Sequence, residues 1–171
     1  MRRGLPLRNG VVFALSLFLA AAISTKQIPP AWRSEPFKAV GACSAVTLAD
    51  LERALGRRFG RGQEESRGGE STCDYGAGKG QVSITIQRLN EKVDVGAEIE
   101  SLKKSIPDSS VRMISVLGGV AFFLDIAGAG TQLHFIRGDR DYLMVSILGF
   151  GDAGAVSAAA EEIARAALAR L

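Results

Sequence analysis

The sequence predicts an α+β domain: an antiparallel sheet of about five to six strands flanked by three helices, preceded by a signal peptide. Three observations carry this expectation. The chain opens with basic residues followed by an apolar run. Three later stretches, near 47–56, 94–106 and 153–171, repeat apolar residues at helical spacing. The stretches between them alternate apolar and polar residues and are punctuated by glycine turns, the pattern of hairpin-linked strands.

The leader comes first. MRRGLPLRNG carries Arg2, Arg3 and Arg8 with no acid, and Val11–Ile23 follows as an apolar run. Basic start, apolar run and small residues form the three-part pattern of a secretory signal. Thirteen helical residues rise only about 20 Å, short of a hydrocarbon core of roughly 30 Å. Cleavage is expected after Ala22 or after Ser24, giving residues 1–24 as the signal peptide. An uncleaved leader would instead anchor the chain. Arg2-Arg3 resembles a twin-arginine pair, but Gly4-Leu5-Pro6 continues it poorly, so a generic basic region is the reading taken.

Without that leader the charge balance changes. The whole chain has 21 Lys and Arg against 18 Asp and Glu; removing Arg2, Arg3 and Arg8 leaves 18 of each. Nucleic-acid binding needs a retained basic surface to displace counterions from phosphates, and a net charge of zero argues against it. The stretch Val40-Gly41-Ala42-Cys43 looks like a lipoprotein box. However, Cys43 lies twenty residues past Ile23 and beyond several charges and prolines, so it is not expected to be acylated. The only other cysteine is Cys73, and two cysteines in an exported chain most simply form one disulfide. Two thiols without neighbouring histidines fall short of a zinc set, so no metal or other cofactor is expected.

Residues 25–41 hold three of the five prolines and Trp32 and read as a linker or N-terminal arm; residues 42–171 form a single domain. Its first helix is capped by Thr47 with Asp50 three residues on, and Gly56 ends it. Residues 56–71 are glycine-rich and charged, hence a flexible loop. Strands are expected at 72–76 and 81–89 around a turn in Gly76–Gly80. A helix then runs from Asp94 to Ile106, with Pro107 stopping it. Strands at 111–117, 120–127 and 131–149 follow, the last folded on itself by a two-residue turn at Gly138-Asp139. That turn would oppose Phe135 to Tyr142 and Leu133 to Met144, and the turn before it Phe122 to Phe135. Both faces of these strands are apolar, so both need cover. The last helix spans Ala153–Leu171.

Candidate chemistry is sparse. Gly76–Gly80 lacks the Lys-Ser/Thr and following helix of a phosphate loop. Arg137-Gly138-Asp139 is an adhesion-type tripeptide, but it is also what a tight hairpin uses. Glu64-Glu65 and Glu161-Glu162 read as solvated surface. His134 is the sole histidine; the expected register sets it diagonal to Asp125, the two residues a hydrolase would need. With no strained serine elbow and both cysteines bridged, a structural histidine is the preferred reading.

Five stretches in order carry a resemblance: GACSAVTLADLERALG, STCDYG, VLGGVAFFLD, LHFIRGDRDYLMVSI and ARAALARL. Together, over residues 41–171, they resemble an uncharacterised family of bacterial exported domains, many of them lipoproteins. The resemblance implies a helix-flanked antiparallel sheet in the manner of the PsbP fold, with Cys43 and Cys73 at the positions of the family's cysteine pair. It supplies no catalytic residues. The functional expectation is a non-enzymatic periplasmic or secreted domain that binds a protein, an envelope component or a small ligand. The alternative is a small hydrolase using His134 and Asp125.

Overall fold

A computed structural model describes residues 40–171 apart from Val116. The leader, both candidate cleavage sites, and Trp32 with most of the arm lie outside the described residues. The chain divides into Met1–Pro30 and Ala31–Leu171, and every described residue belongs to the second unit.

The domain is α+β with an antiparallel sheet, as expected, but the described residues form seven strands rather than five to six and four helices rather than three. The elements are α1 (Ala42–Ala45), α2 (Leu48–Leu55), β1 (Gln63–Arg67), β2 (Glu70–Ala77), β3 (Gly80–Arg88), α3 (Val95–Ser105), β4 (Ser109–Ile114), β5 (Val120–Ile126), β6 (Gly130–Arg137), β7 (Asp141–Leu148) and α4 (Ala153–Leu168). The strand order is β1-β2-β3-β7-β6-β5-β4, with antiparallel pairing throughout.

The extra strand, β1, occupies part of the segment expected to be a loop. Its five residues are all exposed, so no apolar alternation announces it. The turn does: Gly68 and Gly69 sit at φ 60° and 88°, joining Arg67 to Glu70 in the left-handed conformation that two-residue hairpins require. The extra helix, α1, is a single turn with Ala42 and Ala45 buried.

The local signals around α2 and α3 act as read. Thr47 and Asp50 form the reciprocal capping box, and Gly56 closes α2 at φ 63°. Asp94 caps α3 through the amide of Ala97. Gly78-Lys79 turns the β2–β3 hairpin, with Ala77 opposite Gly80.

The pairing expected around His134 needs correction by one residue. The β6–β7 loop spans three residues, 138–140, and closes Arg137 against Asp141. The β5–β6 loop also has three, closing Ile126 against Gly130. A glycine is obligatory there: Gly130 has φ 138°, and a Cβ would lie 2.1 Å from the Ile147 carbonyl oxygen. The shift opposes Leu133 to Val145, Phe135 to Leu143, and His134 to Met144 and Phe122. It sorts the side chains by a physical criterion, since a one-residue slip exchanges the faces. Leu143, Val145 and Ile147 join Phe123, Leu133 and Phe135 in the main core, all at most 1% exposed, whereas Tyr142 and Met144 move to the other side.

That main core fills the face covered by α1, α2 and α4, where Val156, Ala160, Ile163, Ala164 and Ala167 supply the helix side. The opposite face buries Phe122, Leu124, His134 and Ile136. α3 connects β3 to β4; none of its residues is buried, and Glu98 lies near enough to act on Tyr142. Side chains on both faces of the central strands are thus buried, as their apolar composition requires. Among the described residues no helix is long and apolar enough to cross a membrane.

Candidate functional site

His134 sits at the centre of β6 and is 1% exposed. Its ring stacks on Phe122, with centroids 4.7 Å apart and planes 4° from parallel. Its Nδ1 shares a hydrogen bond with the Tyr142 hydroxyl, and its buried Nε2 has no hydrogen-bond partner among the described residues. Burial lowers its pKa from 6.5 to about 4, so it is neutral at pH 7. Tyr142 is shifted the other way, first by burial and then by Glu98 and Glu70, and stays protonated. A Tyr142 hydroxyl donating to Nδ1 leaves the imidazole proton on Nε2.

Asp125 lies on β5 opposite Thr131. Thr131, three residues from His134 on the same strand, points to the other face of the sheet. Asp125 accepts a 2.6 Å bond from the Thr131 hydroxyl and pairs with Arg112 at 3.4 Å. The Arg112 guanidinium in turn lies 4.3 Å from the centre of the Phe123 ring and donates to Ser157 of α4. The structure therefore does not bring His134 and Asp125 together. The two stand on opposite sides of the sheet, each engaged with other partners. That Phe122 and Tyr142 are the neighbours of His134 is not readable from turn residues alone, because it depends on the β6–β7 loop being one residue longer, and the β5–β6 loop one residue shorter, than those residues suggest.

Cys43 of α1 and Cys73 of β2 form the expected disulfide, with Cα atoms 5.1 Å apart. Cys73 is fully buried. A groove of about 580 Å³ runs beside the bridge, lined by Cys43, Thr47, Leu48, Arg61, Glu64 and Tyr75 among others. Its floor is tight at Gly62, where a Cβ would come within 2.6 Å of the Cys73 sulfur. The Tyr75 hydroxyl donates to the Val46 carbonyl at 2.7 Å. The amide of Ala42 donates to the Ser71 hydroxyl, which donates to Glu64. Bridge, hydroxyl and amide together hold α1 on the sheet.

Next to this groove is a polar knot for which the sequence offers only half the signal. Asp50 is the capping-box residue, but it is also 5% exposed. Its carboxylate accepts from the Thr47 amide and hydroxyl at 2.9 and 2.7 Å and pairs with Arg53 at 3.0 Å and Arg170 at 2.9 Å. Arg170 donates further to the carbonyls of Ala45 and Ala166, joining the chain's last residues to α1 and α2. Burial alone would raise the Asp50 pKa; the two Thr47 bonds and Arg170 outweigh it and hold the carboxyl well below the usual carboxylate range.

The remaining motifs find structural partners. Glu162 binds Arg53 at 2.7 Å and Glu161 reaches Arg165 at 3.5 Å. Arg137-Gly138-Asp139 forms the end of β6 and the start of its hairpin loop, with Gly138 at φ 65°. Among the described residues no three His, Cys, Asp or Glu side chains gather as metal ligands would. Compared with family models, curated proteins and solved structures, the chain matches none of them.

Proposed function

We propose that this chain is a non-enzymatic binding or accessory domain that works outside the cytoplasm, taking a protein, an envelope component or a small ligand. The observation that carries this reading is the separation of His134 from Asp125. The histidine is sealed between Phe122 and Tyr142 on one face, and the carboxylate is occupied by Arg112 and Thr131 on the other. Both groups are spent on holding the sheet together. The export half of the reading is supported by the apolar leader, by the Cys43–Cys73 bridge and by the resemblance to exported bacterial domains.

Two experiments test it. Capture of bound species from the native envelope, identified by mass spectrometry, should return the same species for the wild type and for His134→Gln, within a few-fold in yield. If an activity is found and His134→Gln lowers it by about 10⁴ at unchanged melting temperature, the hydrolase reading replaces this one, since that is the scale of losing a member of a catalytic set. Independently, N-terminal sequencing of the exported protein should begin within a few residues of Ile23 and find no acyl group. A chain starting at Met1 means the leader stays as an anchor, and an acylated Cys43 at the N-terminus ends the localisation argument.

A further inference from the structure

The two sulfurs of the disulfide stand in different surroundings. Cys73 of β2 is 0% exposed and belongs to the main core. Gly62, the residue before β1, closes over it: a Cβ there would lie 2.6 Å from the Cys73 Sγ and 2.6 Å from the Tyr75 ring. Cys43 of α1 is only half-buried. It lines the groove of about 580 Å³ beside the bridge, whereas Cys73 lines none of the described cavities. That volume lies within the range of small-molecule pockets, roughly 300–1,000 Å³. Arg61 and Glu64 on its wall carry opposite charges, so the groove turns away neither sign of visitor.

We propose that Cys43 is a site of reversible modification by small thiols, the sulfur through which the folded domain opens and closes its bridge. Exchange begins with attack of a thiolate on one sulfur of a disulfide, and which sulfur is attacked follows access. The small thiol enters the groove as its thiolate and bonds to the Cys43 sulfur. The Cys43–Cys73 bond breaks, and its electron pair leaves on Cys73. That sulfur takes up the proton the incoming thiol has lost, because a bare thiolate is costly in an apolar core. One thiol is consumed, one mixed disulfide forms at Cys43 and one thiol appears at Cys73, so no separate oxidant or reductant is needed. Attack on the Cys73 sulfur is blocked by Gly62 and the core around it. The bridge is thus a latch between α1 and β2, opened from the α1 side and closed again when Cys73 expels the small thiol from Cys43. This site is independent of the binding reading above and uses neither His134 nor Asp125.

The test incubates the folded full chain, without denaturant, with glutathione at mildly alkaline pH and quenches samples with acid and excess N-ethylmaleimide. Peptide mass spectrometry should place glutathione on Cys43 and the maleimide on Cys73, in at least about tenfold excess over the converse arrangement. The yield should rise in proportion to glutathione concentration. Single-cysteine variants given oxidised glutathione supply a second measurement. Cys73→Ala, which keeps Cys43, should be modified at least about tenfold faster than Cys43→Ala, which keeps Cys73. If either variant does not accumulate, the wild-type map decides alone. Glutathione shared equally between the two sulfurs, glutathione on Cys73, or a bridge that opens only at the rate of global unfolding overturns the proposal.

Discussion

Replacing both cysteines, Cys43→Ser with Cys73→Ser, should lower the unfolding free energy by about 2–5 kcal/mol, the usual cost of losing a native bridge. The bridge spans 30 residues, for which closing the unfolded chain accounts for roughly 3–4 kcal/mol in the entropy model. Against a typical total of about 5–15 kcal/mol that is a large share. The loss should also be local. α1 has four residues, too few to hold a helix by itself; once the sulfurs part, what ties it down among the described residues is the burial of Ala42 and Ala45 and the bonds from Ala42 to Ser71, from Tyr75 to Val46 and from Arg170 to Ala45. Release of α1 uncovers the connection to β1, so trypsin should cut first at Arg57, Arg58 or Arg61, all exposed. Urea unfolding of the double variant and limited proteolysis measure the two effects. Non-reducing mass spectrometry of the natural protein tests the premise; two readily alkylated thiols would remove it.

Acid should destabilise the domain in two stages, and the first belongs to His134. Its pKa is about 4 in the fold against an ordinary 6.5, so between those values the unfolded chain binds a proton that the folded one refuses. The stability due to neutral His134 is complete above pH 6.5 and is lost as the pH falls through 4. The slope approaches about 1.4 kcal/mol per pH unit, roughly 3 kcal/mol over the window. His134→Phe keeps a ring against Phe122 and removes the titration, so its stability should be flat over that range. The second stage belongs to Asp50, whose depressed pKa makes its contribution present above the usual carboxylate range and lost below it. Asp50→Asn, less stable at neutral pH, should lose less on further acidification. Urea midpoints for the three proteins at pH 7.5, 5.5, 4.5 and 3 separate the stages. Parallel curves for wild type and His134→Phe above pH 4 would show that the imidazole does not titrate as its burial requires.

The fold class and most of the elements were legible without coordinates because their causes are local. Thr47 with Asp50 and then Gly56 bounds α2, Asp94 and Pro107 bound α3, and the alternation Val82, Ile84, Ile86 marks β3. Each acts within a few residues of itself, so composition and spacing suffice. The disulfide was legible for a different reason: a chain with two cysteines has one possible internal pairing. β1 was missed although its Gly68-Gly69 turn lay in view, because a strand exposed on every residue shows no apolar period. The surroundings of His134 were lost through a single residue of loop length at each of two hairpins. Which length is adopted depends on which assignment buries Leu143, Val145 and Ile147 against α4, a comparison between surfaces far apart in the chain. The same holds for Asp50, a visible cap whose second role depends on Arg170 at the other end of the sequence. What the sequence determined by itself was therefore the bridge and the kinds of elements. Tertiary structure alone decided the register, hence which face each side chain took, and it parted His134 from Asp125. Register is fixed by the burial of whole faces, and that is a property no short stretch possesses.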